Sequence, residues 1–255
     1  MAANTCDFLV IGGGVIGVNL ALQAKHRFPD AHVALIEKEA NFGAHASGRN
    51  SGVLHAGFYY TSDSLKARMT RDGNRQLTDY CEKRGLGINR CGKLVVAKNA
   101  DELPVLDELM LRARQNGVEL QDINEEEARE IEPRVRTCGR ALFSPVTSSI
   151  DPAEVMESFV SDAERAGISI LGNTRFLSSR DGTVSTSKGE ISAGYVINAA
   201  GLYADKIAKN FGFAEHFRIL PFKGLYLYAN DQVKPLRTNV YPVPDLRNPF
   251  LGVHH

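Results

Sequence analysis

Three glycines near the N-terminus have the spacing of a dinucleotide-binding loop. Gly12, Gly14 and Gly17 form a G-x-G-x-x-G motif, and Glu37 lies twenty positions past the last glycine. In such a motif the first glycine permits a tight turn, the second lets backbone N–H groups approach a pyrophosphate, and the third lets a helix pack closely on a strand. The distal acid accepts a hydrogen bond from a ribose hydroxyl. These residues indicate binding of FAD or NAD, and they argue against NADP, whose 2′-phosphate a carboxylate would repel.

The segments around the motif have the order that such a loop requires. An apolar run over Cys6–Ile11 predicts a buried strand, and Val15, Val18 and Leu22 then fall on one face at helical spacing. A second apolar run over Val33–Ile36 predicts another strand. We therefore expect a strand, a tight turn, a helix and a second parallel strand, which together form one βαβ unit.

A long segment without hydrophobic periodicity follows this unit. Residues 40–61 are rich in Gly, Ser, Asn, Ala and aromatic residues, and a long ordered loop in a compact domain is usually functional. Beyond it the pattern predicts a helix over about 64–84, a strand over Leu94–Val96 and a helix whose apolar stripe begins at Leu103 and ends at Gly117.

The alternating α/β pattern returns in the C-terminal half. A helix is predicted over 151–166, followed by a strand over 168–171. Asp-Gly and Lys-Gly turns at 181–182 and 188–189 predict a small β-meander, and an apolar strand is predicted over 195–198. The last fifty residues contain five prolines between short aromatic runs, which predicts strands and turns of a second domain.

Charge and cysteine content exclude several classes of function. Lys+Arg and Asp+Glu each total 30, so no net charge attracts nucleic acid, and no nucleic-acid partner is expected. The four cysteines and seven histidines lack metal-ligand spacing, so we expect reduced thiols and no metal site. Glycines interrupt the apolar stretch 8–24, so no transmembrane segment is expected. Folded structure is expected from Cys6 onwards, which leaves no room for a signal peptide, and the cytoplasm is the expected compartment.

Four stretches carry more specific motifs. Residues 47–60, with 64–68 behind them, resemble the flavin-facing loop of L-2-hydroxyglutarate oxidases and dehydrogenases, a branch of the D-amino-acid-oxidase-like superfamily. The other three stretches follow in the order of that family: Asn-Ala-Ala-Gly-Leu-Tyr-Ala-Asp at 198–205, Pro-Phe-Lys-Gly at 221–224, and Tyr-Pro-Val-Pro-Asp at 241–245 with Pro-Phe-Leu-Gly-Val-His at 249–254. The resemblance therefore covers nearly the whole chain.

The resemblance implies an α/β fold in which a Rossmann-like FAD-binding domain of the GR2 type is interleaved with a mixed-sheet α+β substrate domain. On this basis residues 1–85 and 149–205 form the discontinuous FAD-binding domain, and residues 86–148 and 206–255 form the substrate domain. Members of the family continue into a Gly-Pro-containing strand and a last helix. We therefore expect the substrate domain to be incomplete and the chain to be truncated at its C-terminus.

The resemblance also implies a cofactor and a reaction. The cofactor is FAD, and the reaction is oxidation of a small 2-hydroxy dicarboxylate, L-2-hydroxyglutarate, to the 2-oxo acid. Oxygen, a quinone or a carrier protein would accept the electrons. A quinone-reducing relative could contact a membrane peripherally.

The residues expected to bind FAD come from the glycine loop, the end of the second strand, the flavin-facing loop and an Ala-Ala-Gly turn. Arg49, Asn50 and Ser51 are expected to hydrogen-bond to phosphate or ring atoms. Small residues at 199–201 would let the backbone approach the cofactor. The expected set is Gly12, Gly14, Val15, Ile16, Gly17, Glu37, Lys38, Ser47, Arg49, Asn50, Ser51, Gly52, Ala199, Ala200 and Gly201.

Oxidation of an alcohol carbon by a flavin delivers a hydride to the flavin N5 and needs a base near neutral pKa for the hydroxyl proton. His55 lies in the flavin-facing loop and is the expected base, with covalent flavin attachment through a loop histidine as an alternative role. Lys223, Tyr241 and His254 are expected to surround the dicarboxylate. Lys223 stands where the hydroxyglutarate oxidases more usually have Arg, and an ammonium group clamps a planar carboxylate less well, so the substrate could be a related acid.

Two other functions remain open on sequence alone. Amino-acid and sarcosine-type oxidases use the same scaffold to remove a hydride from a C–N bond. The His-Ala-Gly-Phe-Tyr-Tyr loop at 55–60 and the strand at 241–245 favour the hydroxy-acid branch. The second alternative is an inactive, truncated flavin-domain remnant that binds nucleotide weakly or associates with other chains through uncovered core surface.

Overall fold

The computed structural model describes residues 4–227, 230 and 232–246. The chain divides into two compact units, which we call unit 1 (Met1–Ser51 and Pro152–Tyr226) and unit 2 (Gly52–Asp151 and Leu227–His255). In the described part, the strands are β1 Asn4–Ile11, β2 Val33–Ile36, β3 Val53–Leu54, β4 Ile88–Asn89, β5 Lys93–Val96, β6 Gln121–Asn124, β7 Arg140–Ser144, β8 Ser148–Ile150, β9 Ser169–Leu171, β10 Phe176–Arg180, β11 Thr183–Thr186, β12 Gly189–Asn198 and β13 Asn239–Pro242. The helices are α1 Val15–Arg27, α2 Leu65–Arg84, α3 Leu103–Asn116, α4 Glu125–Ile131, α5 Pro152–Arg165 and α6 Ala204–Asn210.

Unit 1 is built on a six-stranded sheet with the order β10-β11-β12-β1-β2-β9. Strand β1 pairs in parallel with β12 and β2, and β2 pairs in parallel with β9, whereas β10, β11 and β12 form an antiparallel meander. The central strands carry buried apolar residues such as Leu9, Val10, Leu35 and Ile36. This is the pattern of a largely parallel sheet whose strands are covered on both faces.

Unit 2 contains two smaller sheets. The first has the order β13-β5-β7-β6, with β13 parallel to β5 and the remaining pairs antiparallel, and the second is the antiparallel sheet β3-β8-β4. Its core joins β5 and β7 to α3 through Val95, Leu106, Leu109 and Leu142, and it includes the fully buried Phe58. This mixed-sheet arrangement confirms the predicted fold class.

Most of the predicted elements are present within one or two residues of their expected bounds. The βαβ unit runs through β1, α1 and β2, and the meander turns at Asp181-Gly182 and Lys188-Gly189 join β10, β11 and β12. Helix α2 begins after Ser64, whose Oγ accepts a hydrogen bond from the Ala67 N–H at 3.1 Å, and ends at Gly85 with φ +68°. No helix in the described part of the chain is long and apolar enough to cross a membrane.

The last fifty residues differ from the prediction of strands and turns in a second domain. Residues 204–210 form helix α6, residues up to Tyr226 belong to unit 1, and β13 is the one strand that the described residues contribute after α6. The proline and aromatic spacing was therefore a wrong guide to strands between 211 and 227. Phe213, Phe217, Phe222 and Tyr226 are instead exposed, in turns or in chain without regular secondary structure.

The compact units also divide the chain differently from the expected domains, which grouped 52–85 with the dinucleotide-binding segments. Helix α2 is tied to unit 2 by side-chain hydrogen bonds. Arg71 Nη1 donates to the Asn116 carbonyl at 3.0 Å, and Asn74 Nδ2 donates to the Leu54 carbonyl at 2.8 Å. These long-range bonds are invisible in local periodicity, so residues 52–85 belong to unit 2 by contact.

Candidate functional site

The glycine loop of unit 1 packs as the motif predicts. Gly12 has φ +113°, a conformation that only glycine adopts without strain, and a Cβ added there would overlap the carbonyl of Ala199. A Cβ added at Gly17 would overlap the carbonyl oxygen of Gly12. Any side chain at either position would therefore push helix α1 away from the ends of β1 and β12.

The N-terminus of α1 has the features of an anion-binding helix end. The helix begins at Val15, no acidic residue lies in its first turn, and Gly14 is its N-cap. The Val15 N–H donates to Ser47 Oγ at 2.9 Å, and a Cβ added at Gly14 would crowd that oxygen. Ile16, the next residue, is 65% exposed. The N–H groups of the first turn of a helix, together with its dipole, favour a phosphate group at this end.

The carboxylate of Glu37 is fixed beside the same loop. Its Oε2 accepts a hydrogen bond from the Gly13 N–H at 2.7 Å, and its Oε1 accepts one from the Glu39 N–H at 2.9 Å. A carboxylate offers about four acceptor positions, so each oxygen can still accept from a ribose hydroxyl. The glycine loop, the helix end and this acid therefore fit the adenosine diphosphate portion of a dinucleotide such as FAD.

Most other residues of the expected cofactor set also lie in unit 1. The Ala199 N–H donates to the Ile11 carbonyl at 2.9 Å, which brings the Ala199-Ala200-Gly201 turn beside the glycine loop. Asn50 Nδ2 donates to the carbonyls of Ala46 and Ser47 at 3.0 and 2.9 Å. The remaining four members are placed as follows: Lys38 Nζ lies 4.9 Å from the ring centre of Tyr203, Arg49 and Ser51 are exposed, and Gly52 is the first residue of unit 2.

Unit 2 holds a second cluster, around the side chain of Lys93. Lys93 is 0% exposed, and its Nζ lies 4.7, 4.4 and 4.8 Å from the ring centres of Phe58, Tyr59 and Tyr241. Its polar neighbour is His55, whose Nδ1 is 3.4 Å from Nζ. Within the described residues, no carboxylate pairs with this amine. We call these five residues the lysine cluster.

Burial changes the acid–base properties of the lysine cluster. Because the charged form is desolvated, the pKa of Lys93 is lowered from 10.5 to about 7. Burial also raises the pKa of the Tyr59 hydroxyl, and the nearby Tyr241 and Tyr60 raise it further. The Tyr59 hydroxyl is buried and has no hydrogen-bond partner among the residues that the structure describes. A base and an orphaned buried hydroxyl in one small volume are typical of a ligand site.

The structure brings together two of the four predicted catalytic residues. The rings of His55 and Tyr241 meet edge to face with centroids 6.0 Å apart. Lys223 is exposed in unit 1, and His254 lies outside the described residues. Neither Lys93 nor Tyr59 was predicted from the sequence to be a site residue. The available signal for Lys93 was a charged residue opening the apolar run Lys-Leu-Val-Val, a position that normally indicates an exposed strand end.

A glycine-rich turn between the first strand and helix of a parallel sheet, with an acid at the end of the second strand, defines a dinucleotide-binding protein. The chain belongs to the family of FAD-dependent oxidoreductases (DAO), because the model of that family matches residues 7–255. This match confirms the family and the cofactor, FAD, that the resemblance implied.

Individual relatives agree with the family match. The chain is 37% identical over 271 residues to the mitochondrial L-2-hydroxyglutarate dehydrogenase of Bos taurus, and the alignment covers 99% of this chain and 58% of the bovine protein. The chain thus spans less than two thirds of that relative's length.

Solved structures share the fold. Glycine oxidase from Geobacillus kaustophilus superposes with a TM-score of 0.79 at 22% identity, covering 94% of this chain and 66% of that one. Dithionite-reduced L-alpha-glycerophosphate oxidase from Mycoplasma pneumoniae with FAD bound gives a TM-score of 0.77 at 25% identity with the same two coverages. These likenesses support the two-part FAD-oxidase architecture.

Proposed function

We propose that the protein to which this chain belongs oxidises a 2-hydroxy dicarboxylate, L-2-hydroxyglutarate, to the corresponding 2-oxo acid. The observation that carries the proposal is the 37% identity to a named L-2-hydroxyglutarate dehydrogenase over 99% of this chain. The lysine cluster supports it, because a basic pair lined by aromatic rings suits an anionic substrate that must lose a hydroxyl proton.

In the proposed reaction His55 accepts the substrate hydroxyl proton. FAD, when bound, supplies the hydride acceptor. The Tyr241 ring packs against the His55 ring edge to face and limits its rotation, so the base keeps one orientation. The buried Tyr59 hydroxyl has no described partner and would be satisfied by a polar group of the substrate.

The substrate carboxylates need cationic partners. We propose Lys223 for one of them: it is exposed, so it can move to a ligand without breaking packing. His254 stays a prediction for the same task. Because an ammonium group lacks the planar fork of guanidinium, Lys223→Arg should tighten binding of dicarboxylates, seen as a lower KM with little change in kcat.

Substrate-dependent bleaching of the flavin tests the proposed function. The full-length protein is made anaerobic and mixed in turn with L-2-hydroxyglutarate, D-2-hydroxyglutarate, glycine and L-proline, while the visible flavin absorbance is recorded. We expect rapid bleaching by L-2-hydroxyglutarate alone, and a loss of about 10²–10⁴-fold in rate for His55→Asn with the yellow colour retained. Bleaching by the amino acids but not by the hydroxy acids would contradict the proposal and indicate an amino-acid oxidase.

The electron acceptor is proposed to be oxygen, a quinone or a carrier protein. Reoxidation of the bleached protein by air, by a soluble quinone or by neither separates these three. The proposed compartment is the cytoplasm, because Cys6, Cys81, Cys91 and Cys138 form no disulfide bond in the described part of the chain, as expected in a reducing environment. Cell fractionation with an antibody to the chain tests that location.

A further inference from the structure

The amine of Lys93 is buried where neither the cofactor cradle nor the proposed base accounts for it. Lys93 lies in β5, which pairs with β13 on one side and β7 on the other. Its register partners are Asn239 of β13 and Ser144 of β7, and it is 0% exposed. No described acidic side chain forms an ion pair with it. Burying an ammonium group without a counter-charge costs free energy. The position of Lys93 therefore needs a functional explanation.

The groups that face Nζ explain how the amine can hold either charge state. The titratable ones are His55 and Tyr59 from the segment after β3, and Tyr241 from β13; Phe58 adds a third aromatic ring. Three ring faces within 5 Å stabilise a cation through their negative π faces. Since desolvation opposes this and holds the pKa near 7, the neutral and charged forms are both accessible near neutral pH.

We propose that Lys93 and His55 form a two-step proton relay, in which His55 Nε2 takes the substrate hydroxyl proton while the Nδ1 proton of the same ring passes to Lys93 Nζ. The inference builds on the proposed function for the origin of the proton. The geometric basis is the 3.4 Å separation of Nζ and Nδ1 and the aromatic cage around Nζ.

The proton and electron balance of the relay is complete. The substrate O–H bond breaks and an Nε2–H bond forms. The Nδ1–H bond breaks and the lone pair of Lys93 Nζ takes that proton, so that the amine gains a third N–H bond and becomes the ammonium. His55 ends neutral with its proton on the other nitrogen. FAD, the cofactor of the family, would when bound be the two-electron oxidant that accepts the hydride of the alcohol carbon, which is left as the carbonyl carbon. Lys93 touches no substrate atom in this scheme, so it is a positioning residue that acts through His55.

The relay determines which tautomer of His55 can act as the base toward the substrate hydroxyl. A neutral Lys93 accepts from Nδ1–H, so the ring proton is on Nδ1 and Nε2 is the unprotonated nitrogen that can act as a base. A protonated Lys93 donates to Nδ1 and forces the ring proton onto Nε2, where it blocks the base. Turnover should therefore rise as pH rises through the pKa of Lys93.

The decisive experiment reads the tautomer directly. Nitrogen-15 NMR of histidine-labelled full-length protein is recorded across pH, with His55 assigned from the spectrum of His55→Asn. Above the Lys93 pKa we expect the Nδ1–H tautomer in the wild type. In Lys93→Met we expect the Nε2–H tautomer, and a His55 pKa that rises because a neighbouring positive charge is gone. Lys93→Gln gives the same test if the Met variant does not fold.

A matched control uses Lys98, which lies just beyond the same strand, is 64% exposed and pairs with Glu102 at 3.1 Å. Lys98→Met should leave the His55 spectrum unchanged. An unchanged His55 tautomer and pKa in both Lys93 variants would overturn the relay.

Kinetics supply a second readout. Lys93→Met should lower kcat about 10²-fold with little change in KM, and should remove the rise in activity near pH 7. Lys93→Arg, with a permanent charge, should be inactive at every pH. A higher KM with unchanged kcat would show that Lys93 binds a substrate carboxylate, which overturns the relay. If the NMR coupling is present but no hydroxy acid bleaches the flavin, the proton coupling between Lys93 and His55 stands and the proposed function, with its source of the proton, fails.

Discussion

Within the described residues, unit 2 buries two charged side chains, Glu132 and Lys93, and their surroundings are opposite in kind. Glu132 is 1% exposed and is surrounded by donors: Arg134 Nε at 2.8 Å from Oε1, the Arg134 N–H at 3.1 Å from the same oxygen, and the Arg237 N–H at 2.7 Å from Oε2. Lys93 is equally buried, but its neighbours are three aromatic rings and one histidine.

The pKa values of the two groups record this difference. The Arg134 hydrogen bond lowers the pKa of Glu132 to about 2, so its charge is locked at physiological pH. Burial lowers the pKa of Lys93 to about 7, so its charge is free to change. A buried charge whose hydrogen bonds are all made stabilises the fold. A buried group without a counter-ion can gain or lose a proton near neutral pH.

The largest effect on stability should come from Glu132. Glu132→Ala removes the acceptor of the hydrogen bonds from Arg134 and from the Arg237 N–H, and it should lower the free energy of unfolding by about 3 kcal/mol. Urea denaturation followed by circular dichroism measures this loss. Glu130→Ala, an exposed glutamate of α4, is the matched control and should change stability by less than about 0.5 kcal/mol. Equal losses of unfolding free energy in Glu132→Ala and Glu130→Ala would contradict a structural role of the buried Glu132 carboxylate.

Lys93→Met, unlike Glu132→Ala, should not lower the free energy of unfolding. Methionine fills a similar volume without a buried charge, so stability at pH 6 should stay level or rise by roughly 1 kcal/mol. The same denaturation experiment measures it. A loss as large as that of Glu132→Ala would show that the amine of Lys93 has a structural role after all.

Stability should rise with pH at both sites, but in different pH ranges and for different reasons. The folded pKa of Glu132 is below its ordinary value of 4.5, so its stabilisation is present above about pH 4.5 and is lost as pH falls toward 2. The folded pKa of Lys93 is below 10.5, so its cost is present below about pH 7 and disappears as pH rises from 7 to 10.5. Urea denaturation midpoints measured across this pH range test both statements. The midpoints of wild type and Glu132→Gln should converge at low pH, and those of wild type and Lys93→Met should converge at high pH.

The smallest expected effect concerns the shape of the cation beside Glu132. Arg134 also donates to the carbonyls of Lys234 and Pro235, both at 2.6 Å, so its fork ties residues 234–235 to the buried acid. Arg134→Lys keeps the charge but not the fork, and should cost less than about half of the Glu132→Ala loss. Faster amide exchange at 234–237 is the local signature. Arg136→Lys, on an exposed neighbour, should change neither quantity.

Local pattern was sufficient to predict the cofactor cradle. The glycine spacing, the distal Glu37 and the apolar periods of β1, α1 and β2 are all encoded within about forty consecutive residues, and the structure reproduces them. Helices α2, α3 and α5 were likewise predicted, because caps and glycine stops mark their ends.

The lysine cluster could be predicted only in part. His55 and Tyr241 were expected to be functional, but their proximity depends on the parallel pairing of β13 with β5, which joins Asn239 to Lys93 across the sequence. No spacing rule gives such a register. Lys93 itself opens an apolar run, and only the sheet neighbours show that this position is buried rather than exposed.

The rate of anaerobic flavin bleaching by L-2-hydroxyglutarate, compared among wild type, Lys93→Met and Glu132→Ala and normalised to bound flavin, tests the contrast between the two buried charges most directly. We predict a loss of about 10²-fold for Lys93→Met and a wild-type rate for Glu132→Ala. A wild-type rate for Lys93→Met, or an equal loss in both variants, would contradict the assignment of Lys93 to proton transfer and Glu132 to structure.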